Sequence, residues 1–339
     1  MDGKNTRLPW WLLVMLQLAL AGALLCMFAL FHHVIPYRQL RRGGMPEPIA
    51  AVARAETTPP TEQPIPLELA AEPQTTPEPA PQTWAERFAA HFSDEIVWED
   101  MSYRSPTMAV TVTKYEHPEL LPKGVYFVAD IYLSDVEQLQ AAFPLNGVTF
   151  AQPAAIARDA DAVVAVNGDC FVDQRGGFVV RNGELYSQNS TTADICVLYS
   201  DGRMEIYEPG EYEPEEIVKD GPWQIWHFGP SLLNDDGSAR ESFNISDALL
   251  ITHPRTALGY YEPGHYCFVV VDGRQGFSLG AEMKELAAIM SDLGCTAAYN
   301  LDGGASSVMI FRGELVNHPV GDRFPNDLVV AADGKEGAE

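Results

Sequence analysis

With 339 residues the chain has room for one large domain or two small ones. Its 47 acidic against 22 basic residues leave a formal charge of −25. That argues against nucleic acid as a partner, since phosphate neutralisation needs clustered Lys and Arg, and it predicts a self-repelling surface without naming a substrate.

Residues 8–31 contain no charged side chain, and Gln17 alone is strongly polar. Such a run can cross a bilayer, which takes roughly 20 apolar residues, and Trp10 and Trp11 suit its interface. A cleaved signal peptide is the rival reading; its apolar core usually runs about 7–15 residues, and no convincing small-x-small site precedes Pro36. The expectation is one uncleaved transmembrane helix within residues 1–42. Lys4 and Arg7 on one side and Arg38, Arg41 and Arg42 on the other leave its orientation open. Residues 43–83, with ten prolines and six glutamates, cannot bury enough apolar surface to fold and read as an extended tether.

Residues 84–107 read as a short helical lead-in, Trp84, Phe88 and Phe92 recurring every four. The main domain is expected over residues 108–332, followed by a disordered tail at 333–339. Residues 108–113 and 125–132 are β-type runs that should pair antiparallel. Residues 135–143 and 154–161 read as helices, and 162–166 as a strand ending in Asn167-Gly168-Asp169-Cys170. Asn182-Gly183 between two apolar runs predicts a hairpin. Residues 207–221 are acidic and proline-bearing, a surface excursion. Arg255, between Pro254 and a strand-like run, is either a bidentate clamp on phosphate or carboxylate or one half of a structural salt bridge; both stay open.

From 269 onward the pattern becomes strand, helix, strand. Val269-Val270-Val271 ends in Asp272-Gly273-Arg274. Met283, Leu286, Ala287, Met290 and Leu293 then recur at helical spacing before Gly294, a C-cap residue. A second strand ends in Asn300-Leu301-Asp302-Gly303-Gly304. A βαβ unit with parallel strands and a right-handed crossover follows. Asp272 and Asp302 then lie at strand C-terminal ends, where α/β sheets bind ligands. If the strands are neighbours, their backbones are about 5 Å apart, a spacing that suits paired catalytic acids. Either Asp-Gly pair alone is good turn chemistry; two on one unit favour a site. The predicted fold class is α/β or α+β, a mixed β-sheet with a βαβ unit and flanking hairpins, preceded by one transmembrane helix.

Cys170, Cys196, Cys267 and Cys295 sit in or beside apolar runs without C-x-x-C spacing. Metal thiolates are therefore not expected; the thiols read as buried and free, although a disulfide is permitted outside the cytoplasm. The strand ends at Asn167-Gly168-Asp169 and Asn300-Leu301-Asp302-Gly303, each leading to a hairpin with Gly-Glu-Leu, form either a faint internal repeat that brings two loops to one site or a coincidence of hairpin chemistry.

Six motifs in order resemble the phosphodiester glycosidase family, whose members include bacterial envelope proteins associated with exopolysaccharide. They are Val166-Asn167-Gly168, Phe228-Gly229-Pro230-Ser231-Leu232, His253-Pro254-Arg255-Thr256-Ala257, Val270-Val271-Asp272-Gly273-Arg274, Asn300 through Ser307, and Asn317-His318-Pro319 with Arg323 and Asn326-Asp327-Leu328. The chain departs from the family pattern at Ala305, usually glycine, and at Cys170, usually aromatic. The resemblance implies hydrolysis of a sugar joined through its anomeric carbon to a doubly esterified phosphate. With the strand-end placement, it makes Asp302 the leading catalytic carboxylate and Asp272 its partner. Arg255 and the Gly303 and Gly304 amides would hold phosphate. Asn167, Ser306 and Asn326 would orient the sugar or the acids, with Asp169 beside them. No cofactor is required. The alternatives are a phosphodiesterase using a divalent cation on Asp272, Asp302 and Asp169, and a non-catalytic envelope-glycan binder. Anchor, tether and hydrolase together predict a membrane protein whose catalytic domain works outside the cytoplasm on a phosphoglycan or teichoic-acid-like polymer.

Overall fold

The computed structural model describes residues 15, 47–52, 82–145, 151–170, 177–321 and 325–334. The chain divides into two units. Of the first, Met1–Met45 with Asn146–Thr149, only Met15 is described, helical and exposed; the elements below belong to the second. Its strands are β1 (Ala50–Ala51), β2 (Val97–Trp98), β3 (Ser102–Arg104), β4 (Met108–Glu116), β5 (Val125–Leu133), β6 (Leu139–Ala142), β7 (Ala162–Asn167), β8 (Phe178–Arg181), β9 (Glu184–Gln188) and β10 (Ile195–Tyr199). They continue as β11 (Met204–Tyr207), β12 (Pro222–Trp226), β13 (Arg255–Glu262), β14 (His265–Val271), β15 (Ala297–Asn300), β16 (Met309–Phe311), β17 (Glu314–Leu315) and β18 (Leu328–Ala332). The helices are α1 (Trp84–Arg87), α2 (Pro153–Asp159), α3 (Pro214–Lys219), α4 (Asp247–Leu250) and α5 (Met283–Asp292).

The strands form three antiparallel sheets, in the orders β1-β9-β8-β12-β10-β11, β15-β13-β14-β5-β4-β3-β2 and β17-β16-β7-β18-β6. Their inner faces meet in one core, where Val110 and Phe127 of the second sheet join Val164 and Met309 of the third and Leu198 and Trp226 of the first. The fold is thus β-rich α+β with few helices.

The expected βαβ unit needs correction. Strands β14 and β15, joined by α5, do run parallel, because each is antiparallel to β13. But β13 lies between them, so the sheet is not mixed, and the two strand ends are two spacings apart, about 10 Å rather than 5. The cause is local: the run from Arg255 to Glu262 turns straight back as a hairpin onto β14, which leaves its other edge open to β15.

Helix α5 follows the sequence pattern. Met283, Leu286, Ala287, Ile289 and Met290 are buried against Val269 and Val271 of β14. Glu282 and Glu285 form a capping box at its start, and Gly294 (φ +81°) supplies the left-handed turn after its end. Burial of a side chain such as Leu286 is worth about 2–5 kcal/mol against alanine.

Residues 135–143 are not helical. Asp135 and Gln138 make a reciprocal cap, but on a single 3-10 turn, Val136–Gln138, after which the chain extends as β6. Antiparallel pairing of β6 with β18 supplies backbone partners that a helix would otherwise need. In the lead-in, residues 97–98 and 102–104 are likewise strands, β2 and β3. The predicted transmembrane helix at 8–31 lies, apart from Met15, outside the described residues; among the described ones, no helix is long and apolar enough to cross a membrane. Most of the predicted tether also lies outside them. Of its described residues, 82–83 lead into α1 and 47–52 add β1 to the edge of β9, with the Ile49 amide donating to Leu185 O at 2.6 Å and the Val52 amide to Gly183 O at 2.7 Å.

Candidate active site

Two strand-end loops meet. The Asn167 amide group donates to Asp302 O at 2.7 Å, and the Asp302 N–H donates to Gly168 O at 3.3 Å. Asn167 Oδ1 also accepts from Thr256 Oγ1 at 2.7 Å and from the Val308 N–H at 3.2 Å. Asn167 therefore ties the end of β7 to β13 and to the Asp302 loop; its polar atoms face backbone and Thr256.

Beside that junction a cavity of about 220 Å³ is lined by Phe228, His253, Arg255, Arg274, Asp302 and Gly304, among others. Two larger hollows, of about 940 and 920 Å³, include none of the predicted site residues. Asp302 is 8% exposed, against 0% for Asp169 and 1% for Asp272 and Asp327. Only Asp302 of these carboxylates lines the cavity. Its Oδ1 accepts from the Gly303 N–H at 2.8 Å, which fixes the carboxylate orientation.

The cationic wall of the cavity is Arg274. It sits at φ +57°, the first residue of a tight turn closed by Arg274 N–H to Leu279 O and Gln275 N–H to Ser278 O. Its guanidinium donates to His253 Nδ1 at 3.1 Å, and His253 Nε2 lies 3.0 Å from Ala248 O. An acceptor at Nδ1 and a donor at Nε2 define a neutral imidazole, a tautomer assigned from this network. Gly304 (φ +65°) completes the wall: a Cβ there would stand 3.3 Å from Arg274 Nη2. A guanidinium facing a partly enclosed cavity, in a chain of net charge −25, favours an anionic ligand there.

Arg255 also borders the cavity, but its donors point elsewhere. Nε donates to Ala281 O at 3.0 Å, and Nη2 to Leu249 O at 2.7 Å and Ile251 O at 2.6 Å. Burial, with Arg274 nearby, lowers its pKa to about 10. It holds the segment before β13 in place. The Gly303 and Gly304 amides are similarly engaged, the first by Asp302 Oδ1 and the second by Pro254 O at 2.9 Å.

Asp272 turns to another loop. Its Oδ1 accepts from Asn317 Nδ2 and from the His318 N–H, each at 2.9 Å, and Oδ2 lies 3.5 Å from His318 Nδ1. Asn317 in turn donates to Ser307 O at 3.0 Å, connecting Asp272 to the loop after Asp302. Ser306 is buried, and among the described residues its hydroxyl has no hydrogen-bond partner; the same holds for Asn326 Oδ1, while Asn326 Nδ2 reaches Cys170 Sγ at 3.5 Å.

Behind Asp302 lies a buried charged cluster. Arg181 Nη2 pairs with Asp169 Oδ1 at 2.5 Å and Nε lies 3.6 Å from Asp327 Oδ2, while Asp169 Oδ2 accepts from the His227 N–H at 3.0 Å. Gly168 makes room for it, since a Cβ there would meet the Asp327 carboxylate at 2.3 Å. Burial pushes the Asp169 carboxyl up, but Arg181 and His227 outweigh this and hold it below the usual carboxylate range. Burial and then Asp169 push Asp327 up to about 7. Among the described residues, no three His, Cys, Asp or Glu side chains are grouped to hold a metal ion. Asp272, Asp302 and Asp169 do not converge as a ligand set: one faces Asn317 and His318, one the cavity, one Arg181.

The sequence alone assigns no role to Arg274, although it falls within a motif, nor to His253 or Arg181. A lone Arg after Asp-Gly carries no sequence signal of direction, which here comes from its left-handed backbone. Arg323 and residues 171–176 lie outside the described residues.

A family model for phosphodiester glycosidases matches residues 160–331, which is 172 of the 339 residues. The SPbeta prophage-derived uncharacterized protein YomE of Bacillus subtilis (strain 168) is 28% identical over 163 residues, 46% of this chain. The chain spans about a quarter of the length of that curated relative, 25%. Among solved structures, the zebrafish N-acetylglucosamine-1-phosphodiester alpha-N-acetylglucosaminidase catalytic domain, auto-inhibited by its pro-peptide, aligns with a TM-score of 0.54 at 16% identity. That alignment covers 71% of this chain and 88% of the other, and it supports the fold alone. A hypothetical protein from Synechocystis aligns at a TM-score of 0.49 and 16% identity over 67% and 62% of the two chains, and carries no argument.

Proposed function

The chain belongs to the phosphodiester glycosidase family, and from that premise we propose that it hydrolyses a sugar-1-phosphodiester in the cavity between Asp302 and Arg274. The observation that carries this reading is the guanidinium of Arg274, oriented by neutral His253 and facing the cavity that Asp302 lines. Phosphate binds Arg274, which neutralises charge on the leaving group as the anomeric C–O bond lengthens. Asp302, fixed by the Gly303 amide, stabilises the oxocarbenium-like centre as nucleophile or base. Water supplies hydroxyl to the anomeric carbon and a proton to the departing phosphomonoester. Asp272 acts indirectly, by holding Asn317 and through it Ser307.

Turnover of a sugar-1-phosphodiester in ¹⁸O-water tests this. The reading requires label in the released sugar; label in the phosphate would mean cleavage at phosphorus. Binding with no turnover would make the domain a glycan binder. The apolar stretch at 8–31 and the proline-rich residues after it support a further part of the proposal: an anchored enzyme whose substrate is an extracytoplasmic phosphoglycan. Release of the full chain from membranes by alkaline carbonate would count against the anchor.

A further inference from the structure

The sulfurs of Cys267 and Cys295 lie 3.7 Å apart, both fully buried. A third residue makes this possible. Gly259, in the middle strand β13, is paired with Cys267 of β14 on one side and with Ala298 of β15 on the other. A Cβ on Gly259 would stand 2.5 Å from Cys267 Sγ and 2.8 Å from Cys295 Sγ. The two thiols thus meet over a bare Cα. On the helix side, the left-handed Gly294 turns the chain so that the Cys295 N–H reaches Met290 O at 3.2 Å, which aims Cys295 back at the sheet. Cys196 belongs to β10 of another sheet, and Cys170 follows β7.

We propose that Cys267 and Cys295 are a disulfide-forming pair, closed during folding by exchange with a disulfide-class oxidant, and that the cystine fastens β14 to the end of α5. One thiolate attacks the oxidant's disulfide, forming a mixed disulfide and releasing one thiol. The second thiolate then displaces the remaining half. Two S–H protons leave, two electrons pass to the oxidant, and the products are the Cys267–Cys295 bond and two small-molecule thiols. Closing the gap brings the sulfurs from 3.7 Å to about 2.05 Å. Once folded, contact with Cys295 and burial keep the Cys267 thiol from ionising, so exchange belongs to the stage before the gap closes, and the finished bond is shielded from reductants. The fastened segments are those that lead into Asp272 and Asp302.

The test uses the full chain, folded either in a glutathione–glutathione disulfide couple or under excess reductant, alkylated in denaturant and mapped by mass spectrometry. The expected result is a Cys267–Cys295 linked peptide in the oxidised sample alone. A melting temperature higher by on the order of 5–10 °C than in the reduced sample should accompany it. Cys267→Ser and Cys295→Ser should each abolish the redox-dependent shift. Both cysteines remaining alkylatable after oxidative folding, or pairing with other cysteines, would overturn the proposal; a linked peptide with no change in melting temperature would overturn the fastening role. Should a serine variant not fold, the mapping on the unaltered chain decides alone.

Discussion

His253 accepts a hydrogen bond from Arg274 at Nδ1, 3.1 Å away, and its other ring nitrogen lies 3.0 Å from the carbonyl of Ala248. Because the guanidinium can only donate, Nδ1 is the acceptor and the ring proton lies on Nε2, toward Ala248 O.

Removing the guanidinium removes the charge that meets the leaving phosphate. Arg274→Ala should lower kcat/KM on a sugar-1-phosphodiester by about 10²–10³-fold, in line with losing one preorganised transition-state donor. Arg274→Lys should recover only part, since the planar fork is lost. His253→Ala should mainly raise KM by freeing Arg274. Steady-state kinetics on the three variants, checked by circular dichroism, gives the comparison; an Arg274→Ala enzyme at full activity would remove Arg274 from the site.

Gly304→Ala tests the wall from the other side. Its φ of +65° costs an L-residue about 1–2 kcal/mol, and the new Cβ presses on Arg274 at 3.3 Å. The expected outcome is a modest loss in chemical-denaturation stability together with weaker substrate binding. A variant of parental stability and KM would contradict the close approach.

Stability should depend on pH through the buried pair behind the site. Asp327 has a folded pKa raised to about 7, above the unfolded value of about 3.9. Its contribution is present below about pH 4 and is lost as pH rises through about 7. Asp169 is shifted down, so its contribution is present above about pH 4 and fades as pH falls further. Stability from this cluster therefore peaks near pH 4 and declines on both sides. Asp327→Asn should flatten the decline from pH 4 to 7 in urea titrations, whereas an unchanged slope would assign that decline to other groups.

Arg181 lies between the two carboxylates with no exposed side-chain surface. Arg181→Met strands buried acids and should cost about 3–5 kcal/mol. Adding Asp169→Asn should restore part of that loss if the cost is uncompensated charge. No restoration would point to lost packing against Trp226, whose ring centre is 5.9 Å from the guanidinium.

Local chemistry was legible where one short stretch decides the outcome. Asn182 and Gly183, at φ +52° and +75°, make the predicted hairpin turn, and α5 keeps both its apolar face and its Gly294 cap. The Asn167 and Asp302 loops touch, the Asn167 amide donating to Asp302 O at 2.7 Å, a contact that joins two strand ends whether or not they are a repeat. Nonlocal order was not legible. Nothing in β14 or β15 says that β13 inserts between them, and the Asp135–Gln138 cap looks the same whether a helix or a single turn follows. Side-chain direction was hidden too: Asp272 and Asp302 share a strand-end signature, yet one faces Asn317 and the other the cavity.

The most direct test of the account is the rate of Asp302→Asn on a sugar-1-phosphodiester, measured beside its melting temperature. Asp302→Asn should fold, with turnover reduced by on the order of 10⁴-fold, the upper end of what one positioned acid–base group contributes. Turnover within a few-fold of the parent, with folding intact, would contradict it.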